Sequence, residues 1–221
     1  MSKWEHEKKQ VLKAAKSISE KGLVAGTSGN VSLRLASEGE QELLAITPSG
    51  KNYETLTVND IQVIDFEGKT VEGELSPSSE MLLHIGIYKA RKDVKAVVHT
   101  HSIFASVMAV ARLEIPPILD EQVILTGGEV KVAEYAPPGG EELSRNALAA
   151  LENRNAVLLA NHGAVGAGKT MDEALTVAEV VERVAQIYLH TLSLNKVSMI
   201  PEEVVEKEKN LFRKLQSGEE Q

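Results

Sequence analysis

The sequence predicts an α/β protein: a mixed sheet covered by helices on both faces. Stretches with helical and with strand periodicity alternate along the chain. The early strands are separated by short turn-rich segments, which suits antiparallel hairpins. At 221 residues the chain is long enough for one sizeable core, and no repeat, low-complexity tract or linker divides it. A single domain spanning 1–221 is therefore expected.

The elements follow in order. "EHEKKQVLKAAKSISEKG" is an amphipathic helix stopped by Gly22. After the loop "GTSGN" come the strands "VSLRL" and "ELLAIT", then the turn-rich "TPSGKNYETL". "IQVIDFEGKTVEGE" reads as two short strands around a Glu-Gly turn. In "LSPSSEMLLHIGIYKARKD" a helix is expected to begin near Ser78 or Ser79, with Glu80 in its first turn. "KAVVH" is a strand and "SIFASVMAVAR" a helix, whereas "EIPPILDEQVILTGGEVKVAEY" mixes extended and turn signals. The helix "GGEELSRNALAALENRN" leads to the buried strand "AVLLANH". The long helix "TMDEALTVAEVVERVAQIYLHTLSL" and a charged helix "EEVVEKEKNLFRKLQ" close the chain.

Composition narrows the function classes. Hydrophobic residues make up 43% and charged residues 25%, as in a globular domain, and the net charge is −8. That charge argues against a nucleic-acid backbone as main partner, but leaves room for a small anion held by a local nest of N–H donors. With no cysteine, thiolate catalysis, disulfides and Cys-based zinc sites are all excluded. The N-terminus has no apolar core of signal-peptide length, and no stretch reaches the length of a membrane span, so a cytoplasmic protein is expected.

Chemistry-bearing residues cluster in a few places. In "AVVHTHS", His99 and His101 lie two apart and project to one side of a strand, either as a packed pair or as two ligands of one cation. His162, at the end of "AVLLANH", supplies a third imidazole where α/β folds assemble their sites. His84 and His190 fall inside helices and are expected to pack or face solvent, and His6 is incidental. Glu80 has two readings, a helix-start acid or a general base beside a metal-bound substrate. Ionising a carbon next to a carbonyl needs an electron sink and a proton acceptor, and a cation with a carboxylate provides both. The loops "GTSGN", "TPSG" and "SPSSE" are either ordinary turns or an anion cradle aiming Asn30, Ser49, Gly50, Ser78 and Ser79 at a phosphate.

"GAVGAGKT", residues 163–170, spells a P-loop, with Lys169 and Thr170 in the phosphate and magnesium positions. Only helices and a charged tail follow it, with no strand to bring the magnesium carboxylate. It is read as a decoy, a turn and edge strand with Thr170 capping the long helix.

Taken together, "GTSGNVSLR", "ITPSGKNYETL", "SSEMLLH", "VVHTHS" and "NHGAVG" resemble the class II aldolase/adducin family over nearly the whole chain. The resemblance implies a three-layer α/β/α fold around a central, largely antiparallel mixed sheet, assembled as a homotetramer. It implies Zn2+ (with Mn2+ or Co2+ as alternatives) on His99, His101 and His162, with Glu80 as both ligand and catalytic acid/base. Gly29, Asn30, Ser49, Gly50, Ser78 and Ser79 would bind the phosphate of a ketose 1-phosphate such as L-fuculose 1-phosphate. The implied reaction is retro-aldol cleavage to dihydroxyacetone phosphate and a short aldehyde, lactaldehyde for that substrate. Where aldolases of the family carry tyrosines at the aldehyde end, this chain has Asp120 or Glu121 in "ILDEQ", and Leu215 or its neighbours in "NLFRKLQSG". The same metal site serves a ribulose-phosphate 4-epimerase, typically with aspartate at the position of Glu80, and a methylthioribulose-1-phosphate dehydratase with an acid near "DEQ". An adducin-type assembly role without chemistry is the remaining alternative.

Overall fold

The computed structural model describes residues 3–36, 39 and 41–218. Its strands are β1 (Asn30–Arg34), β2 (Leu43–Ile46), β3 (Gln62–Asp65), β4 (Thr70–Glu72), β5 (Ala96–Thr100), β6 (Lys131–Ala133), β7 (Ala156–Leu159) and β8 (Gly163–Gly168). They form one eight-stranded sheet in the order β4-β3-β2-β1-β5-β8-β7-β6. Every neighbouring pair is antiparallel except β6 with β7, so the sheet is mixed and largely antiparallel, as the sequence predicts. The helices are α1 (Glu5–Glu20), α2 (Met81–Ala90), α3 (Ile103–Ala111), α4 (Asp120–Thr126), α5 (Glu141–Leu151), α6 (Met171–Ser193) and α7 (Glu202–Ser217).

Strand alternation sorts the chain into layers. Val31, Leu33, Leu43, Ala45, Ala96 and Val98 face α1 and the start of α6. Their neighbours Leu44, Ile46 and Val97 face α2 and α5 on the other side. Further along α6, Val177, Val181 and Val184 pack with α3 over Ala156, Leu158 and Ala164. Asn30 and Ser32 share the α2 side of the sheet with His99, and the β1–β5 register sets Asn30 directly opposite His99. Among the described residues no helix is long and apolar enough to cross a membrane.

The structure corrects four local expectations. Helix α2 begins at Met81, with Glu80 at the boundary (φ −101°, ψ 18°) and not inside the first turn. Here Ser78 Oγ accepts from Glu80 N at 3.2 Å, forming a turn that delays the helix. The segment "DEQVILT" forms α4, which ends on Gly127 in the left-handed region (φ 87°). Buried Gln122 ties it down by accepting from Ile118 N and donating to Pro116 O; an acid-rich start and a glycine stop marked it, but its brevity hid the periodicity. His162 sits in the turn after β7 and not at a strand end. Finally, β8 is an interior strand between β5 and β7, not an edge.

Candidate active site

β5 ends at Thr100, leaving His99 in the sheet and His101 just beyond it. The β7–β8 turn delivers His162 beside them, and the three imidazole centroids are mutually 4.8 Å apart. Gly163 permits this approach, because a Cβ there would lie 2.1 Å from Thr100 O and 3.2 Å from the His101 ring. The turn after His101 is fixed from across the fold. Glu182 on α6 accepts from Phe104 N and Ala105 N, at 3.0 and 2.8 Å, at the start of α3.

Glu80 completes the cluster. Its Oε2 lies 3.2 Å from His99 Nε2 and its Oε1 3.2 Å from His162 Nε2. Donor atoms of Glu80, His99, His101 and His162 all fall within 4.8 Å of one another. Burial favours a neutral Glu80, but nearby His99 and His162 and the hydrogen bond from Asn30 outweigh it and hold the carboxyl well below the usual range.

This donor set fits a divalent cation. His99 Nδ1 donates to Ala164 O at 2.9 Å, so in the neutral ring the Nε2 lone pair points into the cluster. That Nε2 lies 2.9 Å from His101 Nε2. Burial pushes both His101 and His162 down to about 4, against protonation. Glu80 Oε1 is buried without a hydrogen-bond partner. Convergent lone pairs, an anionic oxygen without a donor and disfavoured protons are together satisfied by a metal ion, and imidazole with carboxylate suits zinc and its neighbours.

Beside the cluster opens a cleft of about 280 Å³ lined by Ser28, Gly29, Asn30, Ser49, Gly50, Ser78, Ser79, Glu80, His101 and His162, together with Thr27, Pro48 and Pro138. All the residues expected to meet phosphate therefore meet the metal cluster in one place. Gly29 has φ 72°, and a Cβ there would strike Val24 and His99 O, at 2.5 and 2.7 Å. Tyr53 Oη donates to Gly29 O at 2.6 Å and holds that loop from behind. The side chain of Asn30 is already engaged at both ends, by Glu80 and by His84. Among the described residues no lysine lines the cleft.

Other residues lie apart. Glu121 pairs with Arg183 at 2.7 Å and Asp120 is exposed; neither lines the cleft, nor does half-exposed Leu215. His6 and His190 are exposed. In the P-loop look-alike, Gly166 and Gly168 serve close strand–helix packing: a Cβ would lie 2.8 Å from Ala174 O and 2.6 Å from Ala174 N, respectively. Lys169 Nζ donates to Leu215 O at 2.6 Å, and Thr170 caps α6 by accepting from Glu173 N. Ser32, Tyr53 and Glu182 support the site without being marked in the sequence, and His84 is read there only as a helical histidine, because only packing shows what they touch.

Residues 9–189 match the model of the Class II Aldolase and Adducin N-terminal domain. The chain belongs to this class II aldolase/adducin family. Among relatives, a 5-deoxy-D-ribulose 1-phosphate aldolase of Bacillus thuringiensis is 36% identical over 95% of each chain. A 5-methylthioribulose-1-phosphate/5-deoxyribulose-1-phosphate aldolase of Rhodospirillum rubrum is 39% identical over 92% of this chain and 89% of its own. L-fuculose phosphate aldolase of Escherichia coli is 38% identical over 84% of each. A solved L-fuculose 1-phosphate aldolase superposes with a TM-score of 0.88 at 37% identity, covering 96% of this chain and 98% of that one. The chain thus has the three-layer α/β/α fold of that class II aldolase.

Proposed function

We propose that the protein is a metal-dependent aldolase that cleaves a ketose 1-phosphate to dihydroxyacetone phosphate and a short aldehyde. The observation that carries this reading is the junction of the His99, His101, His162 and Glu80 cluster with the Gly29, Asn30, Ser49, Gly50, Ser78 and Ser79 loops in one cleft. A divalent cation held by the three histidines and Glu80, zinc in this reading, would supply the electron sink for the breaking bond. The loops would hold the phosphate and so set how deep the sugar chain reaches. As the C3–C4 bond opens, the C4 hydroxyl would pass its proton to the Glu80 carboxylate at Oε1, the oxygen without a hydrogen-bond partner, C4 becoming the aldehyde carbonyl, and Glu80 would return that proton to the electron pair left on C3. Among the described residues no lysine lines the cleft, which favours a metal electron sink over a Schiff-base route.

L-Fuculose 1-phosphate and 5-deoxyribulose 1-phosphate share the phosphate-bearing half and differ in the aldehyde half; each is named in the activity of a relative of similar identity. The test is release of dihydroxyacetone phosphate from each ketose, before and after chelation. Chelator-sensitive release from either supports the aldolase, and the preferred ketose names the aldehyde. No release from zinc-, manganese- or cobalt-loaded protein would overturn it and favour epimerase or dehydratase chemistry.

We also propose a homotetramer. On α3, starting next to His101, Ile103 is 69%, Val107 37% and Val110 59% exposed, an apolar row suited to a second copy of the chain. Sedimentation of the wild type and of Val110→Asp tests this, and a monomeric wild type would remove it.

A further inference from the structure

Behind Glu80 a chain of buried hydrogen bonds runs into the core, and the direction of each link follows from the one before it. Asn30 Nδ2 donates to Glu80 Oε2, at 2.9 Å. That turns Asn30 Oδ1 towards His84 Nε2, at 2.5 Å, and a carbonyl oxygen only accepts, so the hydrogen is on Nε2. Burial pushes the His84 imidazole down to about 3, which keeps it neutral. Its Nδ1 is then an acceptor and takes the Ser32 Oγ hydrogen at 2.6 Å. Ser32 Oγ in turn accepts from Tyr88 Oη at 2.7 Å. Ser32, His84 and Tyr88 are fully buried, and Asn30 and Glu80 nearly so.

We infer that His84 is a positioning residue for Glu80: acting through the Asn30 amide, it fixes Oε2 and leaves Oε1 as the oxygen that carries the proton. This rests on the aldolase reading above. Without the Nε2–H donor, the Asn30 amide can rotate and set its carbonyl oxygen against the carboxylate, and the carboxylate loses its fixed orientation. Ser32 and Tyr88 act one and two steps further out by holding the tautomer that puts the hydrogen on Nε2. None of these three side chains lines the cleft.

The test compares His84→Leu, which removes the donor, with His84→Gln, whose side-chain amide restores one towards Asn30. In His84→Leu, kcat is expected to fall on the order of 100-fold while KM for the ketose phosphate stays within about 3-fold, because Ser49, Gly50, Ser78 and Ser79 are untouched. His84→Gln is expected to recover kcat to within about 5-fold of wild type. Both variants should still hold cobalt, read as metal content, because the three imidazoles are untouched. Wild-type kcat in His84→Leu, or equal losses in both variants, overturns the inference. Should His84→Leu not fold, Ser32→Ala takes its place, with a kcat loss of about 10-fold expected and wild-type turnover as the overturning result. Independently of activity, 15N NMR of the metal-free protein should show His84 as the neutral Nε2–H tautomer from pH 5 to 8, and an Nδ1–H tautomer overturns the inference. If no ketose phosphate is cleaved by the wild type, the functional reading fails by itself, and this tautomer still decides whether His84 orients Asn30.

Discussion

The two oxygens of Glu80 meet different surroundings: Oε2 accepts from Asn30 at 2.9 Å, whereas Oε1 is buried with no hydrogen-bond partner. That asymmetry separates holding the carboxylate from using it. Glu80→Gln keeps the shape and three imidazoles but removes the exchangeable proton. It is expected to lose kcat by roughly 10²- to 10⁴-fold while retaining metal, as read by dihydroxyacetone phosphate release and metal content. His101→Ala should instead lose metal and activity together, since two imidazoles and one carboxylate are a weaker seat. At this scale the sequence shows which residue types are present and at what spacing. "VVHTHS" and "SSE" stood out as candidates because a metal seat and a base call for residues of those types. His84 was legible only as a helical histidine, because the Asn30 and Ser32 that meet it come from a strand far away in the chain.

Among the elements, glycines record where backbones touch. In "GAVGAGKT", Gly166 and Gly168 lie in β8 against α6 and Gly163 against Thr100 and His101, which is why a phosphate-loop pattern occurs without phosphate chemistry. Gly166→Ala would force a Cβ to within 2.8 Å of Ala174 O and 2.9 Å of Ala178 N, both backbone atoms. It is expected to destabilise the fold by about 1–3 kcal/mol, measured as a lower urea midpoint. Lys169→Ala, a change at the supposed phosphate lysine, should leave dihydroxyacetone phosphate release unchanged, because Lys169 reaches Leu215 O and lies outside the cleft. Caps and alternation made most elements readable in advance, including the Thr170 start of α6. Helix α4 escaped because its seven residues fall just short of two turns, too few for a period of 3.6 to emerge. The position of β8 escaped because local pattern does not say which strands become neighbours.

For the molecule as a whole, the buried polar chain beneath the site has a consequence for acid stability. His84 is fully buried and its folded-state value is about 3, against about 6.5 for an ordinary histidine. Below pH 6.5 the unfolded chain binds a proton there and the folded one does not, so stability falls as pH drops from 6.5 towards 3. For metal-free protein, moving from pH 7 to pH 4.5 should cost the wild type about 3 kcal/mol more than His84→Gln, measured by urea unfolding. Equal pH slopes in the two proteins would remove this account.

By itself, the sequence determined the layered α/β class, the alternation that assigns strand residues to faces, and the inventory of imidazoles, carboxylate and small-residue loops. Those properties depend on neighbours a few positions apart, which the chain states directly. Only the tertiary structure decided that His162 arrives in a turn, that Asn30 faces His99 across β1 and β5, and that Asn30 serves Glu80 and His84 at once. These depend on groups brought together from distant segments. There, the cost of burying a polar atom without a partner selects a single orientation for each amide, ring and hydroxyl.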